Sequence, residues 1–295
     1  MSRIFLTGSG GFVGRRLVER LAALGDVVCL DVTAGPKPAG VTSVTGDLRR
    51  PDAWRAALAD CDTVVHLAAV TGKASARRHF DVNLHGTESL LDAAAAAGVR
   101  RFLFVSTIAV RFPDIRRYPY ARAKKQAEAA VRGSGLAHVV VRPTMVFGAG
   151  SPVQSGFRAL AGLPVSPVFD GGRARVQPID VADLVALLTD VVRTDPFEGA
   201  TLEFGGPDIL TANELVGLMR SAAGHGSGGR LSVPTAALRP LLAGLERIDP
   251  RLPPFTVGQL CTFRFDGVAE PNPYWLERSA ELKTVAAMLA NGAGS

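Results

Sequence analysis

The sequence predicts an α/β fold, a doubly wound parallel sheet with helices on both faces and a smaller C-terminal region. Three observations predict it. Through the first two-thirds of the chain, short runs of Val, Ile, Leu and Phe alternate with stretches of helical periodicity. That is the pattern of strands whose two faces are both covered by helices. A glycine-rich turn, TGSGGFVG at 7–14, stands between the first apolar run and the first helical pattern. Beyond Gly148 the texture changes, and residues 148–175 become rich in Gly, Pro and Ser.

The strands are expected at 3–7 (RIFLT), 27–31 (VVCLD), 41–46 (VTSVTG), 62–68 (DTVVHLA), 101–107 (RFLFVST) and 138–143 (HVVVRP). FVGRRLVERLAALG repeats apolar residues at helical spacing, with Gly25 as its expected C′ residue. PDAWRAALA reads as a helix with Pro51 near its start, and VNLHGTESLLDAAAAAG as a helix closed by Gly98. Another helix is expected from Tyr120 to about Arg132. Later come a short helical stretch in FRALAG, a helix at 180–193, a strand near TLEFGG and a helix in TANELVGLMRSAAG. Thr211 or Asn213 would cap the last of these. GHGSGG at 224–229 reads as a flexible loop, and the helical runs after Leu231 as broken by Pro240, Pro250, Pro253 and Pro254.

Composition narrows the function. Of 295 residues, 47% are hydrophobic and 20% charged, ordinary globular usage that excludes wholesale disorder. No apolar run reaches membrane-spanning length; the longest candidate, VADLVALLTDVV, carries Asp183 and Asp190 and reads as an amphipathic surface helix. The first strand begins directly after Met1-Ser2, so no signal peptide is expected and the location expected is cytoplasmic. Cys29, Cys61 and Cys261 are too few and too scattered for a disulfide framework or a metal pair, and Cys29 reads as a buried apolar residue. The net charge of +6 comes mostly from scattered arginines, without a basic stripe, helix-turn-helix spacing or an RNP-like strand. A mildly positive cleft for an anionic cofactor accounts for it equally well. The partner expected is a small molecule, with neither nucleic acid nor membrane; a homodimer is compatible with the sequence but not required by it.

The turn at 7–14 carries the chemistry. Gly8, Gly11 and Gly14 allow a tight bend and a close backbone approach to a pyrophosphate, which the following helix N-terminus attracts. Asp31 ends the second strand at the spacing of a ribose-binding carboxylate. Its charge favours a free 2′-hydroxyl, while Lys37 in TAGPKP could reach a 2′-phosphate. The cofactor expected is NAD or NADP, with Asp31 favouring NAD. Tyr120 and Lys124 stand four apart, so they share one face of a helix. A lysine there would stabilise a tyrosinate, lower the tyrosine pKa and reach the nicotinamide ribose. A hydroxyl at the end of the fifth strand would orient a substrate oxygen. Tyr118 has Arg122 four residues on instead of a lysine.

TGSGGFVG, GDL at 46–48, HLAA at 66–69, VNLHGTESLL at 82–91, FVST at 104–107, YARAK at 120–124 and RPTMVFG at 142–148 occur in one order. Together they resemble the extended, epimerase/dehydratase-like branch of the short-chain dehydrogenase/reductase family, over roughly residues 3–215. The resemblance implies a Rossmann-type fold, with residues 1–148 as dinucleotide-binding core. Residues 149–295 would be a substrate-binding region interleaved with that core, residues near 176–205 returning to it. It implies Thr107, Tyr120 and Lys124 as catalytic residues, Ser106 competing with Thr107 until Val110 is aligned with the family's Val before Tyr-Gly. For the cofactor it implies Gly8, Gly11, Phe12, Val13, Gly14, Asp31, Asp47, Leu48, Leu67, Ala68, Ala69, Tyr120, Lys124, Pro143 and Val146. Asp47 and Leu48 would lie against the adenine, and Asn83 would organise the helix below the site.

Three departures mark the chain. Val110-Arg111-Phe112 stands where the family has Val-Tyr-Gly, only 12 residues separate Thr107 from Tyr120, and Pro178 stands where many relatives have His. With FGGPDILTANEL these features resemble the atypical, non-sugar members of the branch, some of which have lost catalysis. The activity expected is therefore an NAD(P)H-dependent ketoreductase or alcohol dehydrogenase on a mainly apolar small molecule. The Ala-, Arg- and Gly-rich composition of a high-GC bacterium suits a tailoring step of secondary metabolism, such as antibiotic biosynthesis. The alternatives are a nucleotide-sugar epimerase or dehydratase and a non-catalytic NAD(P)-binding protein. RFPDIRRY at 111–118 and the insert from about 149 to 170 are expected to form a mobile lid over the nicotinamide end.

Overall fold

The apolar runs pair into one parallel sheet. The structure is a computed structural model that describes residues 2–36, 38–226, 229–249, 252–253 and 255–290, Ser2 by its backbone alone. Seven strands lie in the order β11-β6-β5-β4-β1-β2-β3. They are β1 (Ser2–Thr7), β2 (Gly25–Asp31), β3 (Thr42–Thr45), β4 (Thr63–His66), β5 (Arg101–Val105), β6 (Ala137–Pro143) and β11 (Ala200–Phe204). All their ladders are parallel, with Leu6 opposite both Cys29 and Val65 and Val65 opposite Leu103. The order reverses between β1 and β4, the switch point at which open α/β sheets form their ligand crevice.

Strand alternation divides the core into two layers. Leu6, Cys29, Val65, Leu103 and Val139 face α1 (Gly14–Ala22) and α6 (Val181–Thr194), meeting Leu17, Leu21, Leu184 and Leu188. Phe5, Val28, Val64, Phe102 and Val140 face the other way, onto α3 (Gly86–Ala96) and α4 (Pro119–Gly133), through Leu90, Leu91, Ala127 and Val131. Thus β11, from late in the chain, completes the sheet begun by residues 2–143, and α6 covers one of its faces.

Several elements differ from expectation for local reasons. Gly25 is not a C′ residue: α1 closes at Ala23 in right-handed geometry, and Gly25 is already paired with Ser2 as the first residue of β2. PDAWRAALA forms two short 3₁₀ turns, Pro51–Ala53 and Arg55–Leu58, broken at Trp54, whose φ is −139°. Burying the Trp54 indole, with Nε1 donating to the Asp47 carbonyl at 2.8 Å, outweighs helix continuity there. The helix before β5 starts early, as α2 (Ala76–Phe80), capped by the Ser75 hydroxyl. It passes through a π-helical turn (Asp81–His85) into α3, and Gly98 follows with φ 75°.

The insert at 149–170 is folded rather than a loose lid. Ser151 caps α5 (Pro152–Ala161), with Pro152 in its first turn. β8 (Ser166–Phe169) pairs in parallel with β13 (Arg230–Val233), and Phe157, Ala161 and Val168 are buried. Its Gly and Pro residues punctuate elements. Two further pairs, β7 (Val146–Phe147) with β10 (Ile179–Asp180) and β9 (Arg175–Val176) with β12 (Leu210–Thr211), tie this region to the sheet's end. Thr211 and Glu214 form a capping box on α7 (Ala212–Ala222). Pro240 does not break α8 (Thr235–Ile248); Leu238 and Leu242 on either side of it pack with Val257 and Leu260 and hold the turn. The short helices α9 (Cys261–Arg264), α10 (Pro273–Arg278) and α11 (Val285–Ala290) follow. Lys37, Ser227 and Gly228 of GHGSGG, Pro250 and Pro254 lie outside the described residues. No helix among the described residues is long and apolar enough to cross a membrane.

Candidate active site

Parallel strands bring their carboxyl ends to one edge, and Thr7, Asp31, His66, Val105 and Pro143 all end strands there. The turn from Thr7 to Gly14 needs glycine for close approach as well as for dihedral freedom. Gly8 has φ 74°, and a Cβ on it would lie 2.7 Å from Ala68 N. A Cβ on Gly14 would lie 2.1 Å from the Gly8 carbonyl oxygen. The N-cap of α1, Val13, supplies no side-chain acceptor, and Arg15 and Arg16 N–H already donate to the Gly11 and Val13 carbonyls, each at 3.1 Å, so an anion would be met by the turn before Arg15. Gly10 N–H donates to Asp31 Oδ2 at 2.8 Å, joining the turn to the end of β2. This cradle fits a dinucleotide pyrophosphate. Phe12 lies under the Arg16 guanidinium, 4.9 Å from its ring centroid, and beside Gly148, where a Cβ would come within 3.6 Å of Phe12 Cζ.

A buried hydrogen-bond chain fixes the loop after β4. Ala68 N–H donates to Thr7 Oγ1 at 3.2 Å, and Thr7 Oγ1 meets His66 Nδ1 at 2.6 Å. His66 Nε2 meets Thr87 Oγ1 at 2.9 Å, and Thr87 gives its proton to the Asn83 carbonyl at 2.9 Å. Thr87 must therefore accept from Nε2–H, which leaves Nδ1 to accept from the Thr7 hydroxyl. His66 is the neutral Nε2–H tautomer. Burial, and then the nearby Lys124 charge, hold its pKa well below the ordinary value. Asn83 exchanges two hydrogen bonds with Val70, at 2.7 and 2.9 Å, and so clamps residues 67–70 from below. Leu67, Ala68 and Ala69 are half-buried along this edge.

Thr107 and Ser106 diverge at the end of β5. Thr107 Oγ1 accepts from Ala109 N–H at 3.3 Å and is the neighbour that acts on the Tyr120 hydroxyl, whereas Ser106 is buried with its hydroxyl left without a partner. Tyr120 remains partly accessible, flanked by the rings of His79 and Tyr118, each 5.9 Å away. Burial of its hydroxyl pushes its pKa up to about 12, with the Thr107 hydroxyl as counterweight. The expected lowering by Lys124 is not what this geometry gives. Lys124 is 2% exposed, and its Nζ donates to the Val105 carbonyl at 2.6 Å and sits 3.9 Å from the Phe104 ring centroid. Desolvation lowers its pKa to about 7, against the pull of Glu128. Tyr118 is raised further than Tyr120 by burial and packs with Phe112, Ile115 and Phe265.

Asp47 is held by Arg49, whose Nε lies 3.0 Å from Oδ1, and that hydrogen bond lowers its pKa. Leu48 is buried against Gly86, where a Cβ would come within 3.1 Å of Leu48 Cβ. Pro143 is buried at the end of β6, and Val146 is half-buried in β7. Arg111 belongs to an ion network the sequence reading missed. Arg142 grips Glu128 with two bonds, Nε to Oε1 at 2.9 Å and Nη2 to Oε2 at 2.7 Å. It also reaches Glu203 at 3.2 Å, and Arg111 bridges Glu203 at 2.5 Å and Glu270 at 2.7 Å. Among the other missed residues, His66 and Thr87 stood inside recognised motifs, and polar residues within apolar strand and helix faces were the available signal.

Comparison with known proteins agrees with this geometry. A ceramide reductase of Caulobacter vibrioides is 34% identical over 226 residues, 75% of this chain and 69% of that protein. A 4-hydroxy-2-methyl-3-oxo-4-farnesyl-3,4-dihydroquinoline-1-oxide ketoreductase of Stigmatella aurantiaca is 32% identical over 50% of this chain, which spans about half (51%) of that relative's length. A UDP-glucose 4-epimerase of Vibrio cholerae is 28% identical over 63% of this chain and 66% of its own. Among solved structures, MoeE5 in complex with UDP-glucuronic acid and NAD superposes with a TM-score of 0.68 at 23% identity, over 79% of this chain and 86% of that one, which is a likeness of fold. Residues 4–199 match the model of the NAD dependent epimerase/dehydratase family, and the chain belongs to that nicotinamide-dinucleotide-dependent family.

Proposed function

We propose that this chain is an NAD(P)H-dependent ketoreductase or alcohol dehydrogenase for a mainly apolar small molecule, with Tyr120 as proton donor. The observation that carries the reading is the placing of Tyr120 with Thr107 as its neighbour at the carboxyl edge of the sheet, beside an apolar wall of Phe112, Ile115, Tyr118 and Phe265. A bound nicotinamide supplies the reducing equivalent. The turn from Gly8 to Gly14 holds the pyrophosphate, and Asp31 selects the free 2′-hydroxyl of NAD. Thr107 orients the substrate oxygen, and Tyr120 donates its proton to the developing alkoxide. Thr107 then hydrogen-bonds the phenolate left behind, and Lys124, one turn along α4, supplies the stabilising cation when protonated. The substrate side is built from residues 149–295 together with the turn at 111–118.

The two reductase relatives support this reading over the epimerase, because their named substrates are apolar or carry an apolar chain. The same chemistry suits a tailoring step of secondary metabolism. The second reading, a nucleotide-sugar epimerase or dehydratase, rests on the similarity to the Vibrio cholerae enzyme. The test is a turnover screen with NADH and NADPH against long-chain and polycyclic ketones and, separately, UDP-sugars. Net cofactor oxidation on an apolar ketone is expected. Sugar interconversion by protein that retains stoichiometric NAD through purification would establish the second reading instead.

A further inference from the structure

His79 is a buried polar ring at the edge of the candidate site. It lies in the last turn of α2 and is 3% exposed. Its ring stands 5.9 Å from that of Tyr120 with 65° between the planes, an edge-to-face contact. Its Nδ1 lies 3.2 Å from the Val70 carbonyl oxygen. A carbonyl only accepts, so Nδ1 carries the proton. Burial holds the imidazole pKa below the ordinary value, against the pull of the Val70 and Gly72 carbonyls. At neutral pH His79 is therefore the uncharged Nδ1–H tautomer.

The Val70 carbonyl does not need this second donor. Asn83 Nδ2 already donates to it at 2.9 Å, while Asn83 Oδ1 accepts from Val70 N–H at 2.7 Å. A phenylalanine could pack beside Tyr120 without the cost of desolvating an imidazole. What the extra bond fixes is the rotation of the His79 ring about its Cβ–Cγ bond, and with it the side offered to Tyr120. His79 and Asn83 stand four apart across the junction of α2 with the π-helical turn, and both reach the same carbonyl. Such turns within helices recur at functional sites. Arg122, two residues on from Tyr120, lies over Phe80 at 5.4 Å from its centroid and joins α4 to α2 a second time. On its other side Tyr120 meets Tyr118, itself held among Phe112, Ile115 and Phe265. The Tyr120 ring is thus walled on both sides, and one wall is tied to the segment that follows β4.

We propose that His79 is a positioning residue: its imidazole, tethered to Val70, holds the Tyr120 ring in one place relative to the segment after β4. Its kinetic consequence rests on the reading of Tyr120 as proton donor; the restraint itself does not. The test is His79→Phe in the full chain, which keeps a ring of similar volume and leaves the Val70 carbonyl bonded to Asn83. Urea unfolding checks that the variant is folded. The chain has three tyrosines, so isotopic labelling at tyrosine Cζ gives three resonances, and the one lost in Tyr120→Phe belongs to Tyr120. That line should be single and narrow in the wild type and split or broadened by exchange in His79→Phe. The Tyr274 line, from a hydroxyl 2.9 Å from Thr194 Oγ1, should stay narrow in both. His79→Gln, which offers a donor without the ring, should broaden the Tyr120 line as well. On a ketone that the wild type reduces, His79→Phe should lower kcat about tenfold and change KM for ketone and NADH by less than about twofold. A residue that only stabilised the fold would leave kcat unchanged. A single narrow Tyr120 line in both His79 variants overturns the proposal, and so does an unchanged kcat in His79→Phe where Tyr120→Phe is inactive. A broadened line in His79→Phe, with near-normal turnover in Tyr120→Phe, supports the restraint and overturns the reductase reading alone.

Discussion

Lys124 and Tyr120 stand one turn apart on α4, and burial acts on them in opposite senses, down to about 7 for the amine and up to about 12 for the phenol. Both shifts favour the neutral form, because a charge removed from water without full compensation is costly. The lysine shift has a thermodynamic consequence with a definite sign. Unfolded, Lys124 titrates near 10.5; folded, near 7. Between those values the unfolded chain binds the additional proton, so this group makes stability rise with pH. Between pH 7 and pH 9.0, where an unfolded cysteine is half ionised, the wild type should gain on Lys124→Met by up to about 1.4 kcal/mol per pH unit. Urea unfolding at several pH values measures it; parallel curves for the two proteins would sink the assignment. Tyr120→Phe should leave dinucleotide binding unchanged and cut turnover by on the order of a hundredfold or more. Near-normal turnover would pass the proton donation to water. Asp31 serves two tasks, since it also accepts the Gly10 N–H. Asp31→Asn keeps that acceptor and removes the charge, so the ratio of NADPH to NADH affinity should rise by about tenfold, or about 1.4 kcal/mol. An unchanged ratio would reduce Asp31 to a turn residue.

At the scale of elements, the glycine turn is the place where sequence and packing can be separated. Gly14→Ala must push its methyl against the Gly8 carbonyl oxygen, 2.1 Å away, whereas Gly35→Ala meets nothing within 4 Å. The first should cost about 1–3 kcal/mol in urea unfolding and weaken dinucleotide binding. The second serves as control, and equal effects would mean that the turn relaxes freely. This turn was legible because its glycines fall within seven residues, 8 to 14, and directly follow an apolar run. The strands were legible for a similar reason: residues such as Val64, Val65, Phe102 and Leu103 are buried from both sides, so a local run reports their environment. The breaks were less so. Trp54 interrupts a good helical pattern because its indole finds the Asp47 carbonyl, and Pro240 fails to interrupt one because Leu238 and Leu242 are anchored from outside the helix. In the candidate site, Tyr120 and Lys124 were visible from their spacing and Thr107 from its place at a strand end. The contacts that fix the site from within were not: Val105, which takes Lys124 Nζ, lies 19 residues away in sequence, and His66 and Thr87, bonded at 2.9 Å, lie 21 apart.

Across the whole molecule, the ion network joins parts of the chain that no local pattern connects. Glu128 lies on α4, Arg142 on β6, Glu203 on β11, Arg111 just after β5, and Glu270 in the segment leading to α10. The helix that carries Tyr120 and Lys124 is thereby tied to the last strand of the sheet and to the C-terminal segment. The Glu128 side chain is 1% exposed and that of Arg142 is 18% exposed, so their attraction is little screened, but both have given up most of their hydration. Such a pair stabilises far less than its Coulomb energy suggests, while breaking it from one side strands a buried charge. Glu128→Leu alone should therefore cost about 3–5 kcal/mol. Glu128→Leu/Arg142→Met should cost markedly less than the sum of the two single changes, because Glu203 keeps Arg111 at 2.5 Å and the Glu270 N–H at 3.0 Å. Urea unfolding of the four proteins closes the cycle. Additive costs would show that Glu128 and Arg142 act independently, and that α4 is held by its apolar face, through Ala127 and Val131, without help from the pair.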